Sequence, residues 1–329
     1  MRGYGTSIAL GLALVLAPAA FAAFPLNAKK APASQDDLMV IQQALQAALP
    51  RAKAATVCID LGNGSGSGVI VSKAGLVMTA AHVSGGVGKD VNVVMPDGTK
   101  LKAETLGLVA DGDAALIQIT EKLKDGGEFP FVEINKTDDT KLGDWIFSLG
   151  HSGGFDKERG AVVRLARLVR VANTTIQTDG TLIGGDSGGP LFDMEGRLIG
   201  IHSRVGPQLP VNMHVPVKVF LENWDKMQKS EFVGEGPFAE KPVKGSGFLG
   251  LATKDAEGGL LVTKVGKESP AEKAGIKEGD LLRTFNGEKL TTRDGMKALL
   301  AEMAEGDKLA LEIKRDGKNE TINLRLEKR

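Results

Sequence analysis

The sequence predicts a mostly β chain, with an all-β domain of barrel or sandwich type through its middle and a compact α+β module at its C-terminal end. Three observations carry this. From Thr56 to about Val219 short apolar runs such as Gly68-Val-Ile-Val-Ser72 and Leu76-Val-Met-Thr79 alternate with turn signals such as Lys73-Ala-Gly75 and Pro96-Asp-Gly-Thr99. The 43 glycines of the 329 residues lie beside those runs, as tight turns between short strands require. Helical spacing is confined to a stretch before the β region, one at its end, and two within residues 245–329.

Taken in order, Arg2 precedes an apolar stretch from Ile8 to Ala17, and Ala20-Phe21-Ala22 places small residues where a signal peptidase reads. A signal peptide, residues 1–22, is expected to be removed after Ala22. The rival is an uncleaved anchor, because the apolar run continues to Phe24, but Pro18 and the small residues after it suit a cleavage region better than a span. The expected location is therefore periplasmic or secreted, with inner-membrane anchoring as the alternative. Residues 23–54 form an N-terminal extension. Its Ser34 and Asp37 make a capping pair, and Leu38, Ile41, Leu45 and Leu49 recur at helical spacing until Pro50. The β domain spans residues 55–229 and closes with a helix near 221–229. Residues 230–244, with Gly234, Gly236, Pro237 and Pro242, read as a linker without a rigid element. In the module 245–329, Ser269-Pro270 starts a short helix that Gly275 ends, and a second helix is expected from about Thr292 to Met303.

Composition narrows the function classes. Forty-one Lys and Arg balance 41 Asp and Glu, so no positive field draws the chain to nucleic acid. Cys58 is the sole cysteine, in a strand-like apolar run, and is expected to be a buried hydrophobe without catalytic role. His82, His151, His202 and His214 include no His-x-x-x-His pair, so neither metal nor cofactor is expected, and His151 and His214 read as structural or surface residues. The glycine run 62–68 leads into a strand pattern and not a helix, which makes it a hairpin loop in preference to a phosphate loop.

Two motifs and an intervening acid carry the chemistry. Thr79-Ala-Ala-His82 follows a strand, Asp113 opens another, and Gly185-Asp-Ser-Gly-Gly-Pro190 leads into Leu191-Phe192. A serine hydroxyl needs an imidazole to take its proton during attack, and the imidazole needs a carboxylate to fix its tautomer. His82, Asp113 and Ser187 supply the three roles in the chain order His, Asp, Ser. The glycines around Ser187 allow a tight turn that aims the amides of Gly185 and Ser187 at one point, an oxyanion hole.

With these motifs residues 55–225 resemble the chymotrypsin-fold serine proteases, and the whole chain resembles the HtrA/Deg branch of bacterial envelope proteases. Further matching segments are Gly66-Ser-Gly-Val-Ile-Val71, Asp113-Ala-Ala-Leu-Ile117, Ser148-Leu-Gly150 and Leu198-Ile-Gly-Ile201. The resemblance implies two six-stranded barrels dividing near Glu128, with His82 and Asp113 on the first, Ser187 on the second and substrate between them. It places Thr181 at the floor of the specificity pocket, with His202, Ser203 and Arg204 along its wall and on the substrate backbone. With no acid at that floor, small or medium apolar residues are favoured over Lys and Arg, while a protonatable His202 would favour an acidic one. Residues 245–329 resemble a PDZ domain through Gly247-Phe-Leu-Gly-Leu251, Gly259-Leu-Leu-Val262, Ser269-Pro-Ala-Glu-Lys-Ala-Gly-Ile-Lys-Glu-Gly-Asp-Leu281 and Phe285-Asn-Gly287. By that resemblance Phe248, Leu249, Gly250 and Leu251 receive the C-terminal carboxylate of a peptide, and the helix from Thr292 forms the other wall.

The sequence departs from the branch at Asp186, where Asn is usual. A buried carboxylate needs a cation, and Arg159, Arg164 and Arg167 are the candidates. The short stretch between Asp60 and Gly66 argues against large cages, whereas a homotrimer fits the resemblance. The function expected is an endopeptidase acting on unfolded or mislocalised envelope proteins. The alternatives are a catalytically silent peptide-binding chaperone or adaptor, and a membrane-anchored regulatory protease activated by a PDZ ligand.

Overall fold

The computed structural model describes residues 24–62, 64–137, 139–206 and 211–328. The expected signal peptide or anchor lies outside these residues, among which no helix is long and apolar enough to cross a membrane. A 3₁₀ turn, Pro25–Ala28, leads to helix α1, Gln35–Ala55. The Ser34 side chain accepts from the Asp37 amide, the expected cap. The helix does not stop at Pro50 but runs on for a further turn, and Thr56 closes its end by donating from its hydroxyl to the Ala52 carbonyl at 2.8 Å. Proline removes one intrahelical bond, and the packing of Ala52 and Ala55, both buried, holds the last turn. Leu38, expected on the apolar face, is instead exposed.

The β region folds as two closed six-stranded barrels. The first uses β1 (Thr56–Asp60), β2 (Ser65–Ile70), β3 (Leu76–Thr79), β4 (Asp90–Val94), β5 (Lys100–Val109) and β6 (Ala114–Ile119) in the order β5-β4-β1-β2-β3-β6, closed by β5 on β6. One helical turn, α2 (Ala81–Ser84), follows β3. The second barrel uses β7 (Trp145–Gly150), β8 (Val162–Val171), β9 (Ile176–Thr178), β10 (Pro190–Asp193), β11 (Leu198–Val205) and β12 (Asn212–Pro216), in the order β10-β11-β12-β9-β8-β7. Strands such as Leu76–Thr79 are buried throughout, which is why they read as continuous apolar runs without alternation. Ile146 and Leu191 fill the second barrel, while their neighbours Phe147 and Phe192 face the opposite way, into the core shared with the first barrel, and stack with centroids 5.0 Å apart; each fully buried ring contributes roughly 1.5–3 kcal/mol. Cys58 is buried, and burial pushes its thiol up to about 11, far from reactivity.

The expected closing helix is two short ones, α3 (Val217–Glu222) and α4 (Trp224–Gln228). The segment expected to be a free linker is docked: β13 (Phe232–Val233) adds to the first barrel in parallel with β5, and Gly236 bridges to Ala239. The C-terminal unit follows. A five-strand path joins β15 (Leu251–Ala256), β16 (Gly259–Val265), β17 (Leu281–Phe285), β19 (Lys308–Arg315) and β20 (Lys318–Arg325), with β18 (Glu288–Lys289) pairing on β17. β14 (Gly247–Phe248) pairs with β21 (Glu327–Lys328). Its helices are α5 (Pro270–Lys273), capped by Ser269, and α6 (Arg293–Ala301), capped by Thr292. This unit rests on the first barrel through ion pairs of Arg325 with Glu104 and of Glu305 with Lys89.

Candidate active site

Between the barrels, the turn α2 carries His82, and the turn leading into β6 carries Asp113. Asp113 is fully buried and its backbone is left-handed, φ 53°, a conformation Asp tolerates better than most residues. Its carboxylate accepts from His82 Nδ1 at 3.0 Å to each oxygen and from the His82 amide at 3.1 Å. A carboxylate only accepts, so the ring proton sits on Nδ1 and Nε2 is left as an acceptor. A third donor is Ser203, whose hydroxyl reaches Asp113 Oδ2 at 2.5 Å.

Ser187 belongs to the second barrel and shares a cavity of about 380 Å³ with His82. Its hydroxyl donates to the Ser203 carbonyl at 3.3 Å. The turn before it is held from three sides. Gly153 donates to the Gly184 carbonyl at 2.7 Å, the Ser67 hydroxyl to the Gly185 carbonyl at 2.8 Å, and the Ser67 amide to the Ser187 carbonyl at 2.7 Å. Gly185 has φ 92°, and a β-carbon there would lie 2.4 Å from the His151 carbonyl oxygen, so no other residue fits. The amides of Gly185 and Ser187 donate to no protein acceptor among the described residues.

Residues 66–201 match the family of trypsin-like peptidase domains, and residues 247–326 match the PDZ domain family. The chain is 30% identical over 284 residues to a probable DegP-like periplasmic serine endoprotease of Marinomonas, covering 80% of this chain and 57% of that protein. A second DegP-like protein, from Pseudomonas savastanoi, is 29% identical, with 79% and 55% covered. The chain thus joins a trypsin-like peptidase domain to a PDZ domain and is similar to DegP-like serine endoproteases.

It spans about half the length of these two relatives. Among solved structures it is similar to a serine endoprotease from Yersinia pestis, at 23% identity and TM-score 0.48, covering 91% of this chain and 99% of that one. It is also similar to the HtrA-type protease AlgW with a decapeptide, at 21% identity and TM-score 0.48, covering 88% and 98%.

Of the three arginines proposed for Asp186, the fold brings Arg164 of β8 to it. The guanidinium lies 2.8 Å from Oδ2 and 3.3 Å from Oδ1 of a carboxylate with no solvent exposure. Ser152 Oγ donates to Oδ1 at 2.6 Å and the Ile183 amide to Oδ2 at 2.9 Å. Arg159 instead holds the Ser152 carbonyl at 2.6 Å, and Arg167 stacks on Trp145, 4.7 Å to the ring centroid.

Two residues assigned to the substrate pocket are elsewhere. Thr181 is exposed, and the cavity wall is formed by the residues after it, Leu182, Ile183 and Gly184. His202 is fully buried behind the cavity, its Nδ1 2.8 Å from that of His214, whose Nε2 meets the Thr178 hydroxyl at 2.9 Å. Burial, with the Arg164 charge added, pushes His202 down to about 3, so it cannot serve as a protonated wall for an acidic substrate residue. Burial likewise lowers His214 and His151. Ser203 and Arg204 do line the cavity, with Val205. Sequence reasoning missed Ser203 as the partner of Asp113, Ser67 as a strut under the nucleophile turn, and Phe238, which enters the cavity from the supposed linker. No local pattern marks them, because each acts on a residue distant in sequence.

In the PDZ domain, β15 is an edge strand paired only with β16, and α6 packs beside it. The loop Phe248 to Leu251 runs along the head of this groove. The amides of Leu249 and Gly250 donate to no protein acceptor among the described residues.

Proposed function

We propose that the chain is an exported serine endopeptidase that cuts unfolded or mislocalised envelope proteins through an acyl-enzyme, and that its PDZ domain binds peptide C-termini. The observation that carries the reading is the meeting, at one cavity, of the Ser187 hydroxyl, an imidazole fixed by buried Asp113, and two unclaimed amides. In this mechanism the Ser187 O–H turns from the Ser203 carbonyl to His82 Nε2, which takes the proton as Oγ attacks the scissile carbonyl carbon. The Gly185 and Ser187 amides receive the oxyanion, and one such donor is worth about 100- to 1000-fold in rate. Asp113 stabilises the imidazolium, which then protonates the departing amine. Water repeats the sequence and frees the new carboxyl end.

The cavity wall of Leu182, Ile183 and Val205, with the Arg204 cation beside it, suits a medium apolar residue before the scissile bond and repels Lys and Arg. The periplasmic relatives support a periplasmic location. The edge of β15 and the free amides of Leu249 and Gly250 support strand addition by an extended peptide whose carboxylate meets those amides.

Digestion of unfolded casein by the full chain and by Ser187→Ala, with fragments read by mass spectrometry, tests the reading. Cleavage abolished in the variant is expected, with apolar residues at the cut sites. A chain that cuts nothing, while both proteins bind casein, would establish the chaperone or adaptor instead. For the PDZ domain, a hydrophobic peptide with a free C-terminus should bind and its amidated form should not; equal binding of both overturns the carboxylate assignment.

A further inference from the structure

The stretch after β13 is a wall of the cleft. β13 fixes its start on the barrel, and Gly236 then runs so close to the chain before the catalytic acid that a β-carbon on it would sit 2.5 Å from Asp111 Cα. Past this point Phe238 and Ala239 pack on a cluster that includes Ala81, the neighbour of His82, as well as Val87 and Ala110. The half-buried Phe238 ring also stacks on the Arg204 guanidinium, 4.9 Å to its centroid, inside the cavity that holds His82 and Ser187.

The neighbouring backbone says which part of a substrate would meet this ring. β10 pairs with β11 only as far as Ile201, while β12 pairs with the opposite edge of β11 out to Val205. The stretch Ser203–Val205 therefore offers one open edge to the cleft, where an extended peptide can add as a strand. Side chains of an extended peptide alternate in direction. With the scissile residue directed to the wall of Leu182, Ile183 and Gly184, the preceding residue is directed the other way, between His82 and Phe238.

We propose that Phe238 is a specificity-determining residue: with His82 and Arg204 it bounds the subsite for the substrate residue immediately N-terminal to the scissile residue, and it selects apolar branched side chains such as Val and Leu. This rests on the endopeptidase reading and deepens it. The phenyl face excludes water from one side of such a side chain, and the Arg204 charge disfavours a basic one.

The test is a set of peptides identical except for Gly, Ala, Val, Leu or Lys at that position. In the wild-type chain kcat/KM should rise about tenfold from Gly to Leu, the discrimination an apolar pocket gives for added carbons, with Lys lowest. Phe238→Ala should flatten the gradient, and Phe238→Leu, which keeps apolar bulk, should retain most of it. The same peptides are titrated by fluorescence anisotropy against Ser187→Ala and against Ser187→Ala carrying Phe238→Ala. A gradient in binding without any turnover in the wild type would discard the endopeptidase reading and leave the subsite standing. An unchanged gradient in Phe238→Ala overturns the proposal. So does a uniform gain or loss across all peptides, which would make the ring a plug or a mere brace.

Discussion

Arg164→Met removes the cation beside Asp186 and leaves a carboxylate with no solvent exposure and two remaining donors, Ser152 Oγ and the Ile183 amide. Breaking a buried pair by deleting one member costs about 3–5 kcal/mol. With two hydrogen bonds retained, the lower end is expected, ~3 kcal/mol, a fall of roughly 6–12 °C in melting temperature for a domain of this size. The loss also reaches the chemistry. Asp186 holds the turn through the Ile183 amide on its side chain, and its own amide donates to the Ile183 carbonyl at 3.1 Å. That turn sets the directions of the Gly185 and Ser187 amides, so kcat should drop by about 100-fold, the cost of losing one oxyanion donor, with KM moving little. Arg164→Met combined with Asp186→Asn, which replaces the stranded charge with an amide, should recover much of the melting temperature. Thermal melts and peptide hydrolysis on the three variants check this. A single variant that melts and turns over like the wild type, or a double variant no better than the single, refutes the reasoning.

Ser203→Ala deletes one donor to Asp113 while leaving the backbone carbonyl in place. It should lower kcat about tenfold with KM nearly unchanged, and an equal rise in KM would mean that Ser203 acts on substrate and not through the acid. His202 is held down to about 3 and unfolded histidine titrates near 6.5. Between those values the unfolded chain binds the extra proton, so stability is full above pH 6.5 and is lost as pH falls through it, ~2 kcal/mol at pH 5. His202→Gln should therefore show a smaller drop in melting temperature between pH 7 and pH 5, and equal drops would refute the assignment. Arg325→Ala removes the pair with Glu104 and a hydrogen bond to the Ser230 hydroxyl, both across the contact between PDZ domain and barrel. Limited proteolysis within residues 234–246 should accelerate in this variant, and an unchanged rate would mean that other contacts hold the unit.

The motifs that place His82 on Asp113 and beside Ser187 were legible because the chemistry proposed for them needs particular residue types beside particular turns, and those turns are local. Ser269 could be read as a helix cap for the same reason, its hydroxyl accepting from the Glu272 amide three residues on, whereas the matching cap of Thr292 on Gly295 was seen only in the structure. The end of α1 was misread, since Pro50 is a strong local stop signal and only packing carries the helix past it. The pocket residues failed differently. Counting along the chain placed Thr181 at the floor and His202 on the wall, but Thr181 lies in the loop after β9, where spacing fixes no direction, and on β11 a one-residue change in phase turns a side chain to the opposite face, so that His202 meets His214.

The sequence by itself determined the strand-rich fold, the residues proposed for the chemistry at His82, Asp113 and Ser187, the glycine-rich turn before Ser187, and the requirement that Asp186 find a cation. Each follows from residue type and short spacing. Only the tertiary structure chose Arg164 over Arg159 and Arg167, joined Ser203 to Asp113 across 90 residues, and carried Phe238 into the cleft. Those contacts depend on how two barrels and a docked tether close on one another, and nothing local to Arg164, Ser203 or Phe238 records that closure.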